Sequence, residues 1–261
     1  MNPTILNSIE KILNERLFSF SRLTLIEQCL FAFFFRHILK AKESNDVLPL
    51  NFGKAVHKAV EQYAIGDDDK TALLNGLKEV NFFPFNLNEY AQIFSRAKSF
   101  IGHGSAKREN VDIEYHFKVS LGEGIYLQGF IDYLEKIHGA YRFIDWKTNR
   151  IPYEALDTYQ LSLYGYAISQ LKNTKYVTGE YIFLRYFKNN RKIHSFSQLE
   201  LNQAKEWALR NAKKALESVE KLQQGQSVTK AFPKTLSHKC AHCPFADLCL
   251  VSEIEGMEIL L

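Results

Sequence analysis

The sequence predicts an α/β fold, and three observations carry that expectation. Between Leu127 and Lys147, two runs rich in Ile, Phe, Tyr and Leu flank His138-Gly139, the pattern of a hairpin with a two-residue turn. Upstream, Val111, Ile113, Tyr115, Phe117 and Val119 alternate with Asp112, Glu114, His116 and Lys118, the period of a half-buried strand. Downstream, a helical stretch from Leu156 to Leu171 precedes a further strand, Gly179 to Phe187. The order is helix, three strands, helix, strand.

The remaining elements follow in chain order. A first helix begins near Ser21, a suitable N-cap, and runs through Leu39 with Cys29 inside it; its apolar residues cover most of its circumference, so it should be buried. A loop containing Pro49 leads to a second helix, Gly53 to Tyr63, where His57 and Glu61 share a face; alone, that pair reads as a solvated helix side. Two amphipathic helices between Lys70 and His103 are separated at Pro84. Gly122-Glu123-Gly124 turns the first strand into the hairpin. Gln160 and Tyr164 lie one turn apart on the Leu156 helix. Asn189-Asn190 turns the chain into a strand from Lys192 to Phe196, and a charged helix runs from about Glu200 to Gln224.

With 261 residues the chain is long for one ordinary domain, yet one domain over 1–261 is expected. Its segments are 19–40, with the first cysteine; 41–105, a helical insertion with His57; 110–198, the core; and 199–261, the last helix and a cysteine cluster. Hydrophobic residues make up 46% and charged residues 24%, which indicates a well-buried core. A formal charge of +4 and a pI near 8.7 permit a nucleic-acid partner without requiring one. The N-terminus lacks the basic and long apolar regions of a secretory signal, and the apolar run Cys29 to Phe35 is too short to span a bilayer. A cytoplasmic protein without a membrane partner is the expectation. No Gly-x-x-x-x-Gly-Lys-Ser/Thr loop occurs, so no ATP motor is recognisable in this chain.

Two clusters carry chemistry. Pairing about His138-Gly139 sets residues whose numbers sum to 277 opposite one another, which places Asp132 against Asp145. Directly opposed side chains have Cβ atoms about 4.5–5.5 Å apart, and like charges there are destabilising unless something compensates them. Lys147 stands beside Asp145 on the same face, roughly 6.5 Å along the strand. Two carboxylates and an ammonium suit magnesium or manganese and metal-assisted phosphodiester hydrolysis; a surface hairpin with one ion pair is the plainer alternative. The second cluster is Cys240-Ala-His-Cys243-Pro-Phe-Ala-Asp-Leu-Cys249, with Cys29 as a distant fourth thiol. In a reducing compartment this spacing suggests a metal site, either zinc or an iron–sulfur cluster. His238 or His242 could replace Cys29 in a zinc site.

The ordered set Ser19-x-Ser21-Arg22-Leu23 with Cys29, Gly53-x-x-x-His57, Gly129-Phe-Ile-Asp132, Asp145-Trp-Lys147, Gln160-x-x-x-Tyr164 and Cys240-x2-Cys243-x5-Cys249 resembles the PD-(D/E)XK nuclease superfamily. Within it, the chain is similar to the RecB-like iron–sulfur branch that includes the C-terminal nuclease domain of AddB helicase–nucleases and the Cas4-like exonucleases. The resemblance runs from about Ser19 to Cys249. It implies a restriction-endonuclease-like αβββαβ core with additional helices and a C-terminal cysteine loop closed onto the N-terminal helix. It implies that His57, Asp132, Asp145 and the Trp146 carbonyl bind magnesium or manganese, and that Lys147 positions or polarises the attacking water. Gln160 and Tyr164 match a pair near the active site and DNA, while Cys29, Cys240, Cys243 and Cys249 match [4Fe-4S] ligands. Glu114 is an auxiliary acid at most. Two departures are Leu30, where a proline often follows the first cysteine, and Asp145, where Cas4 proteins usually have Glu; the latter favours the RecB and AddB side. The implied activity is a metal-dependent DNA exonuclease on single-stranded ends, with any helicase supplied by another chain. A silent iron–sulfur DNA-binding module and a zinc-stabilised adaptor are the rival classes.

Overall fold

A computed structural model describes residues 3–44 and 48–254. The chain opens with α1 (Pro3–Glu15), whose Ile5, Ile9 and Ile12 share a buried face. A short strand, β1 (Leu17–Phe18), leads to α2 (Phe20–Gln28). Its N-cap is Ser19 rather than Ser21: the Ser19 hydroxyl accepts the Arg22 N–H at 3.4 Å, the N-cap to N3 contact. Nor does Cys29 lie inside a helix. It adopts an extended backbone (φ −167°, ψ 114°) between α2 and α3 (Leu30–Phe33), which continues as a π-helical turn, Phe34–Leu39. Phe31 through Phe35 are all buried, and packing five consecutive side chains overrides the regular helical period.

α4 (Leu48–Ile65) begins five residues before Gly53, because Pro49 falls in the first turn, where its missing N–H has no partner to lose. Then come α5 (Asp69–Glu79), capped by Asp68, and α6 (Leu87–Lys98), capped by Asn86. Three strands follow as read: β2 (Val111–Gly122), β3 (Ile125–Ile137) and β4 (Ala140–Lys147). Both connecting turns have positive φ at both central residues, 54° and 70° at Glu123-Gly124 and 47° and 85° at His138-Gly139. That is the primed geometry whose twist matches paired strands. α7 (Gln160–Leu171) starts four residues later than its apolar pattern implied. The last elements are β5 (Val177–Phe183), β6 (Arg191–Ser195), α8 (Gln198–Gln223), α9 (Val228–Ala231) and α10 (Ala246–Ile254). β5 ends four residues early, as the chain turns at Leu184 and Arg185. No helix among the described residues is long and apolar enough to cross a membrane.

The chain divides into two compact units, Met1–Asn45 with Lys118–Gln128 and Lys205–Leu261, and Asp46–Phe117 with Gly129–Ala204. In the first, β1 pairs in parallel with Tyr126 and Leu127 of β3. Its core includes an aromatic cluster in which Phe31 and Phe35 lie 4.7 Å apart, Phe34 and Phe232 5.3 Å, and Phe35 and Phe245 5.6 Å.

In the second unit β4 is flanked by β3, antiparallel, and β5, parallel, the latter reached through α7; β6 pairs with β5. The β3–β4 ladder runs from Ile137↔Ala140 to Tyr133↔Ile144, the expected register, so Asp132 and Asp145 stand one step beyond its last pair. Ile144 and Trp146 bury into a core with Phe52, Val56, Tyr90 and Phe94 of α4 and α6. Phe143 faces the other way, 6.2 Å from Tyr164 of α7. Gly76 lets the helices approach closely: a Cβ there would lie 2.0 Å from the Tyr90 hydroxyl and 2.4 Å from the Ala55 carbonyl. This packing sets the position of α4 and therefore of His57.

Candidate active site

α4 buries Phe52, Ala55, Val56, Ala59 and Val60, a helical stripe that aims His57, on the flank of the stripe, at the end of the β3–β4 ladder. There its two ring nitrogens meet two acceptors. Nδ1 lies 3.1 Å from Asp132 Oδ1 and Nε2 lies 3.0 Å from the Trp146 carbonyl oxygen. With an acceptor on each side, the ring is satisfied as an imidazolium. Burial alone lowers its pKa, but Asp132, by charge and hydrogen bond, with lesser help from Asp145 and Glu114, lifts it to about 9. The other Asp132 oxygen accepts the Trp146 N–H at 2.6 Å, so one carboxylate holds both the ring and the strand.

Glu114 completes this group. Strict alternation would turn it outward with Asp112 and His116, yet its φ of 49° breaks the pleat of β2. One ligand atom each from His57, Glu114 and Asp132 then falls within 4.8 Å of the others. Burial, and next the Asp132 charge, raise the Glu114 carboxyl to about 7. The same concavity is lined by Lys54, Lys58 and Glu61, and Lys58 pairs with Glu61 at 2.9 Å.

Asp145 and Lys147 lie on the α7 side of β4 and form a second, tightly bonded group. Gln160, the first residue of α7, donates from Nε2 to Asp145 Oδ1 at 2.7 Å and accepts at Oε1 from Lys147 Nζ at 2.9 Å. Its Nε2 also donates to the Tyr164 hydroxyl at 3.3 Å. Lys147 Nζ stands 2.6 Å from Asp145 Oδ2 but off the hydrogen-bonding direction, so that buried oxygen has a counter-charge and no directed donor. Burial raises the Asp145 carboxyl although Lys147 opposes it; burial lowers the Lys147 ammonium, but Asp145 raises it further and keeps it charged. Nζ also lies 5.0 Å from the centre of the Tyr181 ring.

Chemically, the cluster fits a hard divalent cation. Carboxylate oxygens, an imidazole and a backbone carbonyl converge, and Asp145 retains a buried oxygen without a directed donor. His57, Asp132 and the Trp146 carbonyl meet directly, while Asp145 is tied to Lys147 and Gln160. Glu114 is the residue the pattern undervalued, and its only sequence signal was an acid on the strand preceding the hairpin.

In the first unit, Cys29 sits at the break between α2 and α3, Cys240 in the 3-10 turn His238–His242, Cys243 at its end and Cys249 on α10. The last cysteines thus lie on short helices rather than in one open loop. No disulfide joins the four cysteines, which line one cavity of about 220 Å³, together with Phe31, Phe35 and His242. Ser44 ties this region together, donating from its backbone N–H and hydroxyl to the Pro244 carbonyl at 3.1 and 2.8 Å.

Comparison with known proteins adds two findings. A family model described as the PD-(D/E)XK nuclease superfamily matches residues 17–250. A solved structure described as "Crystal structure of SSO0001" is similar over 95% of this chain and 94% of its own, at 13% sequence identity and a TM-score of 0.42.

Proposed function

We propose a reaction from one premise: this chain belongs to the PD-(D/E)XK nuclease superfamily. Nucleases of this superfamily use divalent metals, and a member would act on DNA. Our finer reading is a magnesium- or manganese-dependent DNA exonuclease working on single-stranded ends. It would be a cytoplasmic protein of the RecB-like iron–sulfur branch, a single nuclease domain serving repair, recombination or CRISPR-type processing, with any helicase acting in trans.

The observation that carries this reading is the meeting of His57, Glu114 and Asp132 beside an Asp145–Lys147 pair bridged by Gln160. His57, Asp132, the Trp146 carbonyl, Glu114 and the under-satisfied oxygen of Asp145 would hold the cation. Such an ion supplies Lewis acidity toward a phosphate oxygen and makes a nearby water more acidic. His57 must shed its second proton to bind it, since a ligating imidazole is neutral. Lys147 keeps its ammonium charged and offers it to negative charge that develops on phosphate. Gln160 acts as a positioning residue, fixing the Asp145 and Lys147 heads, and Tyr164 supports its amide. A buried acid–lysine pair of this kind is costly to keep in a protein that merely binds DNA or serves as an adaptor, which weighs against both rival classes.

For the cysteines we favour a [4Fe-4S] cluster held by Cys29, Cys240, Cys243 and Cys249. All four cysteines border one cavity, as ligands of a shared cluster must, and the Cys240-x2-Cys243-x5-Cys249 spacing with a distant upstream cysteine resembles the iron–sulfur arrangement.

The deciding assay incubates EDTA-stripped protein with single-stranded DNA, with and without magnesium or manganese, beside Lys147→Ala. Cleavage should need the cation and disappear in the variant, while the variant still binds DNA through phosphate contacts elsewhere. Unchanged cleavage in chelator, or normal turnover by Lys147→Ala, would sink the reading.

A further inference from the structure

The Ser19-x-Ser21-Arg22-Leu23 motif takes no part in the site described so far. Ser19 is accounted for as a helix cap and Leu23 as buried core. Arg22 is not. It borders a separate cavity of about 320 Å³ within the first unit, lined from α1, the start of α2 and the π-helical turn. Arg22 Nη1 donates to the Leu17 carbonyl at 2.8 Å, which fixes the guanidinium in the cavity wall. Lys11 enters from α1, His37 from the π-helical turn, and Lys40 from that turn's left-handed C-cap, at φ 58°.

Against these three permanent cations the lining offers one acid, Glu15, which lies 3.8 Å from Lys11 with both side chains exposed. Among the described residues, two positive charges remain unmatched around the concavity. The field is strong enough to register on its neighbours. Burial, then Arg22, Lys40 and Arg36, push the His37 imidazole down to about 3, so the ring is neutral. Burial, then Arg22 and Lys11, also lower Lys40. Asn7 adds an amide at the same wall. Like charges gathered on one side of a cavity are repulsive in a protein whose only task is to fold, and the missing partner is an anion.

We infer that this cavity binds a phosphate group. A carboxylate would match only one of the two spare charges, whereas a phosphate oxygen set accepts the guanidinium fork and both ammonium heads together. The phosphate has two chemical sources, a DNA strand or a free phosphate such as pyrophosphate. None of the lining residues belongs to the proposed catalytic cluster, so the site stands or falls independently of it.

The test compares wild type with Lys11→Ala/Lys40→Ala. A second variant, Lys40→Gly, suits the left-handed backbone and removes the charge without backbone strain; Lys70→Ala/Lys78→Ala, on α5, is a charge-matched control. Binding of a single-stranded oligonucleotide, with and without a 5′ phosphate, is followed in EDTA across a salt series. Thermal melting is followed in pyrophosphate against sodium chloride of equal ionic strength. If DNA supplies the phosphate, the Lys11/Lys40 variant has a log–log salt slope shallower by about 0.7, the value for one lost single-strand phosphate contact, and the control does not. If the phosphate is free, pyrophosphate raises the melting temperature of wild type more than chloride does, this gain is lost in both cavity variants, and the salt slopes are equal. Either result upholds the site and assigns its source. Equal slopes with no pyrophosphate effect, or a control that loses as much slope as the cavity variant, overturns it.

Discussion

Replacing Glu114 by Gln asks whether that carboxylate is a metal ligand or a bystander. Burial and the Asp132 charge raise it to about 7. A cation must displace any proton the carboxyl holds, so each pH unit below that pKa costs about tenfold in apparent affinity. Between pH 8 and pH 6 its protonated share rises from about one-eleventh to about ten-elevenths, and wild type should lose about tenfold in manganese affinity through this group alone. Glu114→Gln has no proton to displace. Its affinity should be weaker at pH 8, for want of a ligand, yet fall about tenfold less on acidification, the remainder coming from His57, raised to about 9. Calorimetric titration of metal-free protein with manganese at pH 8, 7 and 6, without DNA, measures both slopes. Parallel pH dependences in wild type and variant would place Glu114 outside the ligand set.

Three further expectations concern the scaffold. His57 is raised above 6.5 to about 9, so its contribution to the metal-free fold is fully present below pH 6.5 and lost as pH rises through 9; melting temperatures in EDTA should decline across that window, and a rising trend would contradict the imidazolium. Gly76→Ala drives a methyl group into Tyr90 and Ala55, an overpacking cost of about 1–3 kcal/mol, and each kcal/mol lowers the melting temperature by about 2–4 °C. Manganese affinity should weaken with it, because α4 carries His57; an unshifted melting curve would refute the tight contact. If the four thiols hold the proposed [4Fe-4S] cluster, protein purified without air should be brown, and Cys29→Ser should bleach it and lower its melting temperature, since such a site would close a loop of over two hundred residues. Full colour in that variant would remove Cys29 from the cluster.

Much of this arrangement was legible in the sequence where local chemistry decides geometry. The hairpin register followed from a two-residue turn with glycine at its second position, and five pairs from Tyr133↔Ile144 to Ile137↔Ala140 obey it. The alternation along β4 separated Ile144 and Trp146 from Phe143, and the two faces pack against different helices. What the pattern could not show depends on tertiary contacts. Ser19 and Ser21 are chemically equivalent caps, and only the position of the helix chooses between them. Cys29 looked helical because its neighbours are apolar at every spacing, the same property that lets the core impose a break. Glu114 read as a solvent-facing strand residue, and a single left-handed φ, which no residue type announces, turns it inward.

The place of β5 in the chain has a consequence for timing. His57, Glu114, Asp132, Asp145, Lys147, Gln160 and Tyr164 all precede Val177, so synthesis has placed every one of them in the chain before β5 is made. Yet β4 finds its parallel neighbour only when Tyr181 comes to lie beside Asp145 and Phe183 beside Lys147. Parallel pairing across an intervening helix is a long-range and slow event relative to hairpin closure. A nascent or truncated chain therefore carries every reactive group without the strand that seats them, and the finished site arrives late. For a nuclease, that order of assembly delays competence until β5 has docked beside β4.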